Sequence, residues 1–427
     1  MINTILHCLR HAHGVDDYKV IEKTIESCEL FYVKKQLQTN RASKVIEYEV
    51  TVYYDSHGKR GLSKFMIDPC MTKDEIEKRI SIAVEQATLA LNEHYRLPRN
   101  KDIKLEENTS NLKGKDLKEV MLDIVSAIFR ADCYQNGQIN ATEIFLYKTT
   151  TRIVNSRKID VTYISYKGNI EIIPSFDINN ESFEVYKMIS FSSLDTKDIT
   201  KQVNDSMCQG IDRSNAVKYE GNKNINVLLH GEHIERLMRY FTYDLSYAQK
   251  YYGTNKFNVN DDISVDCLGD KISLTLLPVL SSSPDSNQVD NDGIILKETK
   301  LIENNIVLRN HGDFRFGYYL KEKDVTGKIS NIKLEKGSYN IDELRKDSYI
   351  ECVQFSDIQM DPYTGFFGGE VRLGYYYDGN KKVPITGFSI TGNIHEIVSD
   401  LKLSNDEIKT GHYFGPSLLL TKQFKVY

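Results

Sequence analysis

Apolar positions recur along this chain with two periods, about 2 and about 3.6 residues, and each period predicts an element. The segment KVIEYEVTVYYDSHGKRGLSKFMI, from Lys44 to Ile67, places β-branched and aromatic residues on both sides of Ser56-His57-Gly58-Lys59. That is the pattern of two strands joined by a tight turn. Thr72 and Glu75 then stand at capping-box spacing in TKDEIEKRISIAVEQATLAL, where Ile76, Ile80, Ala83, Ala87 and Leu91 trace one helical face. A second helix is predicted from Leu117 to Phe129, then three strands, EIFLYKTTTRIVNS, DVTYISYK and NIEIIPSF, and a further helix from Thr196 to Met207. Between the first two helices, RLPRNKDIKLEENTSNLKGK carries few large apolar residues and reads as linker or surface loop.

Beyond Gly221 the pattern shifts. The helix GEHIERLMRYFTYDL is followed by short apolar runs separated by Gly, Asn and Asp: KISLTLLPVL, GIILKETKLIENNIVLRN, DFRFGYYL, GEVRLGYYYDGNKKVPITGFSIT and SLLLTKQFKVY. All five read as strands. SSSPDSNQVDNDG, Ser281 to Gly293, reads as a flexible loop. The fold class is therefore α+β: an N-terminal α/β region of sheets with helices over 1–221, and a C-terminal β-rich barrel-like or sandwich domain over 222–427.

Composition narrows the function classes. The 55 basic and 60 acidic residues leave a net charge of -5, too mild to point to nucleic acid or an anionic membrane as partner. Seven cysteines, odd in number and nowhere arranged as C-x-x-C, suit reduced cytoplasmic thiols and not a disulfide framework. MINTILHCLRHAHG lacks the apolar core of a signal peptide, and no window approaches the ~18 apolar residues that span a bilayer. A soluble cytoplasmic protein is expected.

The densest chemistry lies in LLHGEHIERLM. His230 and His233 are three apart, so both reach one side of a helix, with Glu235 less well placed. A zinc-peptidase helix needs two histidines one full turn apart and a glutamate directly after the first, so that metal and base meet on one water. Here Gly231 follows the first histidine and predicts a helix start. Ile234, Leu237, Met238, Phe241 and Leu245 draw the apolar face, which turns Glu232, Glu235, Arg236 and Arg239 towards water. An ordinary amphipathic helix outweighs a metal site at His230, His233 and Glu235.

Other candidates are weaker. His7, His11 and His13 cluster near Cys8, but a solvated terminal helix explains them better than a metal. Asp261, Asp262 and Asp266 lack calcium-loop spacing and read as a solvated turn. No nucleophile elbow or P-loop is present. Gly365, Gly368 and Gly369, with Arg372, admit two readings. Glycine lets an extended peptide approach a strand, or it serves a bulge or tight turn.

Four segments in order, RIVNSRKIDVTYISY (152–166), DGIILKETKLIENNIVL (292–308), TGFFGGEVRLGYYYDGNKKVPITGFSITGNIHEIV (364–398) and YFGPSLLL (413–420), resemble the TldD/PmbA family, also called modulator of DNA gyrase. The resemblance implies a two-part protein and a cytosolic heterodimeric metallopeptidase, in which TldD and TldE (PmbA) subunits together trim unfolded or modified peptides, including precursors of peptide antibiotics. In the family the TldD subunit carries zinc on an H-E-x-x-x-H helix, with a cysteine near the C-terminus; the TldE subunit lacks these ligands yet is required. This chain has no H-E-x-x-x-H, and no cysteine follows Cys352. Both departures point to the PmbA/TldE side. The resemblance thus implies no cofactor bound by this chain, zinc in a TldD-like catalytic partner, and an unfolded or precursor peptide as substrate. A self-sufficient metallopeptidase with an atypical site at His230, His233 and Glu235, or a peptide-binding homodimer, are the alternatives.

Overall fold

The computed structural model describes residues 1–99, 105, 109–178 and 181–427. Within the linker expected at 96–115, positions 100–104 and 106–108 lie outside the described residues.

The N-terminal half runs α1 (Ile2–His11), β1 (Asp17–Val33), β2 (Gln36–Ser56), β3 (Lys59–Ile67), α2 (Lys73–Thr88), β4 (Asn92–Glu93) and α3 (Leu117–Arg130). β5 (Gly137–Asn155), β6 (Asp160–Ile178), β7 (Glu181–Glu184), β8 (Lys187–Phe191) and α4 (Thr196–Ser214) complete it. Its strands form one sheet in the order β4-β3-β2-β1-β5-β6-β7, with β8 also on β6. The predicted hairpin closes as expected: Ser56 pairs with Lys59, and His57 and Gly58 have φ of 50° and 73°, the paired left-handed conformation of a two-residue turn that matches strand twist. The capping box on α2 also forms, with Thr72 accepting from the Glu75 N–H and Glu75 accepting from the Thr72 N–H.

Three expectations are corrected here. α2 stops at Thr88, so Leu91 lies beyond the helix. DVTYISYK and NIEIIPSF are one strand, β6, because Gly168 is not a turn: a Cβ there would lie 2.1 Å from the Phe191 ring, so the glycine admits β8's aromatic to the sheet. α1 is not solvated; Ile2, Ile5, Leu6, Cys8 and Leu9 dock it into the core, while His7, His11 and His13 stay outward.

Strand parity explains the layering. Val20 and Cys28 of β1, Ile144, Leu146 and Val154 of β5, and Ile170, Ile172 and Phe176 of β6 bury against the helices: α1 and α2 at one end, α3 and α4 at the other. The opposite parity, Ile21, Ile153 and Val161, meets Val289 of the C-terminal half. The segment read as a flexible loop is thus an ordered plug. Asp290 accepts from the Asp292, Ile294 and Lys328 N–H groups, and Lys19 donates to Asp292 at 2.5 Å.

The C-terminal half runs β9 (Val217–Lys218), β10 (Asn226–His230), α5 (Gly231–Asp244), α6 (Tyr247–Tyr252), β11 (Leu274–Leu277), β12 (Thr299–Glu303), β13 (Ile306–Val307), α7 (Phe314–Tyr319), β14 (Asn331–Leu334) and α8 (Ile341–Leu344). It continues with β15 (Tyr349–Met360), β16 (Phe366–Tyr377), β17 (Lys382–Thr386), β18 (Phe388–Asn393), α9 (Ile394–Asp400), β19 (Lys402–Leu403), β20 (Glu407–Thr410), β21 (Tyr413–Pro416), β22 (Leu418–Thr421) and β23 (Lys425–Val426). Two sheets result, β19-β22-β10-β15-β16-β17-β9 with β18 and β23 attached, and β13-β12-β11-β14-β21-β20. Neither closes on itself, so packed sheets replace the barrel expected as one option. DFRFGYYL forms α7 and not a strand, because the Asp313 carboxylate caps it by accepting from the Phe316 N–H. Among the described residues no helix is long and apolar enough to cross a membrane.

α5 packs against strands of both sheets. Its apolar face, Ile234, Leu237, Met238 and Phe241, is fully buried in the shared core with Leu245 just beyond its end.

Candidate functional site

The chain reaches α5 through β10, an apolar strand whose last residue, His230, is also the helix N-cap with extended backbone (φ -80°, ψ 159°). Gly231 follows because there is no room for more: a Cβ would lie 2.5 Å from Ile408 and 3.0 Å from Tyr413. The histidines therefore stand at the first turn of a helix whose first residue packs closely against Ile408 and Tyr413.

Each candidate ligand is already engaged, and with a different partner. His230 Nε2 lies 2.9 Å from Glu351 Oε1, a carboxylate on β15 that is 2% exposed and also accepts from Arg345 and from Lys382 at 2.8 Å. Burial acts upward on the Glu351 carboxyl, but His230, Arg345 and Lys382 outweigh it and hold the group well below the usual carboxylate range. His233 Nε2 lies 3.1 Å from the Val353 carbonyl. A carbonyl only accepts, so that nitrogen carries the proton, and burial lowers the imidazole pKa and keeps it neutral. Glu235, expected towards water, is largely covered and binds Arg239 at 2.5 Å. A zinc site needs three or four convergent side chains. No group of three His, Cys, Asp or Glu among the described residues is placed to hold a metal, so the residues at α5 do not fit that ion. Cys352, the last cysteine, is fully buried, and burial pushes its thiol up into the protonated form.

Elsewhere the sequence candidates disperse. Cys8 points into the core near Glu77, away from the outward His7, His11 and His13. Asp261 and Asp262 cap their own turn, accepting from the Asn258 and Ser264 N–H groups. Gly365 adopts φ 74° in the turn before β16. Gly368 and Gly369 sit within β16, paired with Gln359 and Ile358 of β15 on one side and with Thr391 and Ile390 of β18 on the other. That strand offers no free edge at these positions, and the register shifts of β15 between Cys352 and Asp357 lie opposite Glu370 to Gly374, not opposite Gly368 and Gly369.

The open edge belongs to β15 instead. Its parallel pairing with β10 stops at Cys352, so among the described residues Gln354 to Met360 pair only with β16. This edge faces a cleft of about 690 Å³ that is walled by Glu232, His233 and Arg236 of α5, by Val353–Ile358 of β15, by Arg372 of β16, and by Glu184–Met188, Gln209 and Arg213 of the N-terminal half. Smaller cavities of about 330 Å³ and about 510 Å³ continue it past His230 and past Tyr243. The three follow α5, whose 14 residues span roughly 21 Å, the length of about six extended residues. In the cleft, Lys187 lies 3.2 Å from the half-exposed Glu232, and its charge holds that carboxyl below the usual carboxylate range.

Sequence reasoning missed the β15 edge, Glu351 and Arg213. One signal was present: a lone glutamate inside the apolar run YIECVQF demands a buried partner.

Residues 222–426 match the family model described as PmbA/TldA metallopeptidase C-terminal domain. No curated protein matches the chain significantly. Among solved structures, TldE from Thermococcus kodakarensis superposes with TM-score 0.80 at 14% identity, covering 100% of this chain and 99% of that one. A modulator of DNA gyrase from Thermotoga maritima gives TM-score 0.79 at 14% identity, covering 100% of each chain. One from Bacteroides thetaiotaomicron gives TM-score 0.80 at 15% identity over 100% of this chain and 97% of that one. At such identities the likeness establishes the fold.

Proposed function

Because residues 222–426 of this chain are a PmbA/TldD-type C-terminal domain, we propose that it serves as the TldE-like subunit of a cytoplasmic two-subunit metallopeptidase that processes unfolded or modified peptides. In this reading the chain holds no zinc of its own, and a TldD-like partner supplies the metal. The observation that carries it is the commitment of the α5 histidines: His230 to Glu351 and His233 to the Val353 carbonyl. The chain's own contribution is to hold substrate. The free edge of β15 lies along a cleft of suitable length, where an extended peptide gains main-chain hydrogen bonds by adding as a strand. The buried, neutral His233 holds the Val353 carbonyl directly before that edge and so sets where the addition can begin.

The test is purification of the chain alone and together with a TldD-like partner. Zinc is measured by elemental analysis and cleavage with a labelled unfolded protein. No stoichiometric zinc in the chain alone, no change of metal content in His233→Ala, and cleavage only by the mixture are expected. Stoichiometric zinc that is lost in His233→Ala, with cleavage by the chain alone, overturns the reading.

A further inference from the structure

Three arginines from three elements converge on the main cleft: Arg213 from the last turn of α4, Arg236 from α5 and Arg372 from β16. Among the described residues neither Arg213 nor Arg236 has a carboxylate within ion-pair distance. Arg372 reaches only Glu370, at 3.5 Å, with both side chains about half exposed, a pairing weak enough to exchange for a better one. The carboxylates of the cleft are engaged elsewhere: Glu232 by Lys187, Asp357 by the Gln359 amide at 3.2 Å and Glu184 by the Asn140 amide at 2.9 Å.

Arg213 is half-buried, and its guanidinium carbon sits 6.0 Å over the Phe183 ring. Stacking of this kind orients the planar fork while leaving its N–H edge open. Burial, and next the charge of Arg372, press its pKa below the ordinary arginine value; it stays charged at neutral pH. Two like charges thus share one half-covered pocket, where among the described residues the exposed Glu370 beside Arg372 is the one carboxylate within ion-pair distance of either. That arrangement costs stability unless an anion arrives, and the acceptor that matches two guanidinium forks is a carboxylate, to which a fork donates two parallel hydrogen bonds.

We infer that Arg213, Arg372 and Arg236 form a carboxylate-recognition site within the cleft, taking a free C-terminal carboxylate or an Asp or Glu side chain of the bound peptide. This rests on the reading of the cleft as a peptide site. It adds a substrate preference to that reading: the β15 edge binds any extended backbone, and the arginines select the acidic ones. Lys187, already held by Glu232, is left out of the selection.

The experiment titrates the full chain into four fluorescein-labelled hexapeptides that carry either Glu or Gln at one position and end in either a carboxylate or an amide, read by fluorescence anisotropy. Loss of affinity by about ten- to a hundredfold, the range of charge-assisted hydrogen bonds, is expected on one of the two neutralisations. Loss on Glu to Gln names a side chain as the source, and loss on amidation names the C-terminus. The Arg213→Gln/Arg372→Gln double variant should bind all four peptides alike, and Arg213→Lys, which keeps the charge without the fork, should retain part of the preference. Circular dichroism confirms that the variants are folded. Equal affinity of the wild type for all four peptides overturns the carboxylate site while leaving the peptide reading in place. So does a preference that survives in the double variant. Failure of every peptide to bind overturns both.

Discussion

Replacing Glu351 by Gln removes one charge and almost no volume, at a residue that ties β15 to the start of α5. The carboxylate is 2% exposed, whereas the side chains of His230, Arg345 and Lys382 around it are 36%, 33% and 40% exposed. Breaking a fully buried pair costs about 3–5 kcal/mol because a charge is stranded without water, and breaking a surface pair costs about 0–1 kcal/mol. Here the stranded Arg345 and Lys382 can turn to solvent, so the loss at pH 7 should fall between these limits, at about 2 kcal/mol. The sign with pH follows from linkage. Glu351 has a folded pKa below its unfolded value of about 4.3. Its stabilisation is therefore full above that value and drains away as pH falls towards the folded pKa. Glutamine does not titrate, so the gap between wild type and Glu351→Gln should close with acid. Urea unfolding of both chains at pH 7 and at about pH 3.5, below the unfolded glutamate value, measures it; with 27 tyrosines and no tryptophan, tyrosine fluorescence and circular dichroism are the probes. Coincident midpoints at pH 7, or a gap that stays constant into acid, would refute the reasoning, because either means the carboxylate is not held ionised by its three neighbours.

Two further outcomes follow from packing and burial. In Gly369→Ala the new methyl would lie 2.7 Å from the Phe355 ring and 2.8 Å from the Asp357 carbonyl, so about 1–3 kcal/mol of stability should be lost. Gly368→Ala, whose nearest neighbour is the exposed Phe366 ring at 3.3 Å, should stay within about 0.5 kcal/mol; equal thermal shifts in the pair would count against the close approach of β15 to β16 at Gly369. His311 donates from Nε2 to the Thr242 carbonyl at 2.7 Å and has a buried Nδ1 with no partner. Burial brings its pKa down to about 4 from 6.5. Wild type should consequently lose up to about 3 kcal/mol as pH falls through that window, at ~1.4 kcal/mol per unit, and His311→Gln should flatten that stretch of the stability curve. Identical slopes for the two proteins would show that the imidazole is free to charge.

Much of the local structure was written in the residues themselves. Turn and cap chemistry act over a few positions, so His57-Gly58 closing the first hairpin and Thr72 with Glu75 opening α2 were readable without any tertiary contact. The apolar face of α5 and its start at His230 were readable for the same reason, since a 3.6-residue period and a glycine suffice. Aromatic runs were less legible. DFRFGYYL satisfies strand propensity, yet one capping aspartate settled it as a helix, while Gly168 looked like a break and proved to be a point of close approach.

What the chain alone determined, then, is its layered α+β make-up, the place of its histidine-bearing helix, and the absence of the H-E-x-x-x-H spacing from that helix. What only tertiary structure decided is which atoms those histidines meet and what surrounds them. Glu351 lies 121 positions after His230, and Val353 lies 120 after His233; Arg213 and Arg372 face one cleft from elements far apart in the sequence. Periodicity reports which face of an element is buried, because burial is set by neighbours a few residues away. It carries no information about which distant strand supplies the partner, because that depends on the strand order within the sheets and on the edge, here that of β15 beyond Cys352, that this order leaves unpaired.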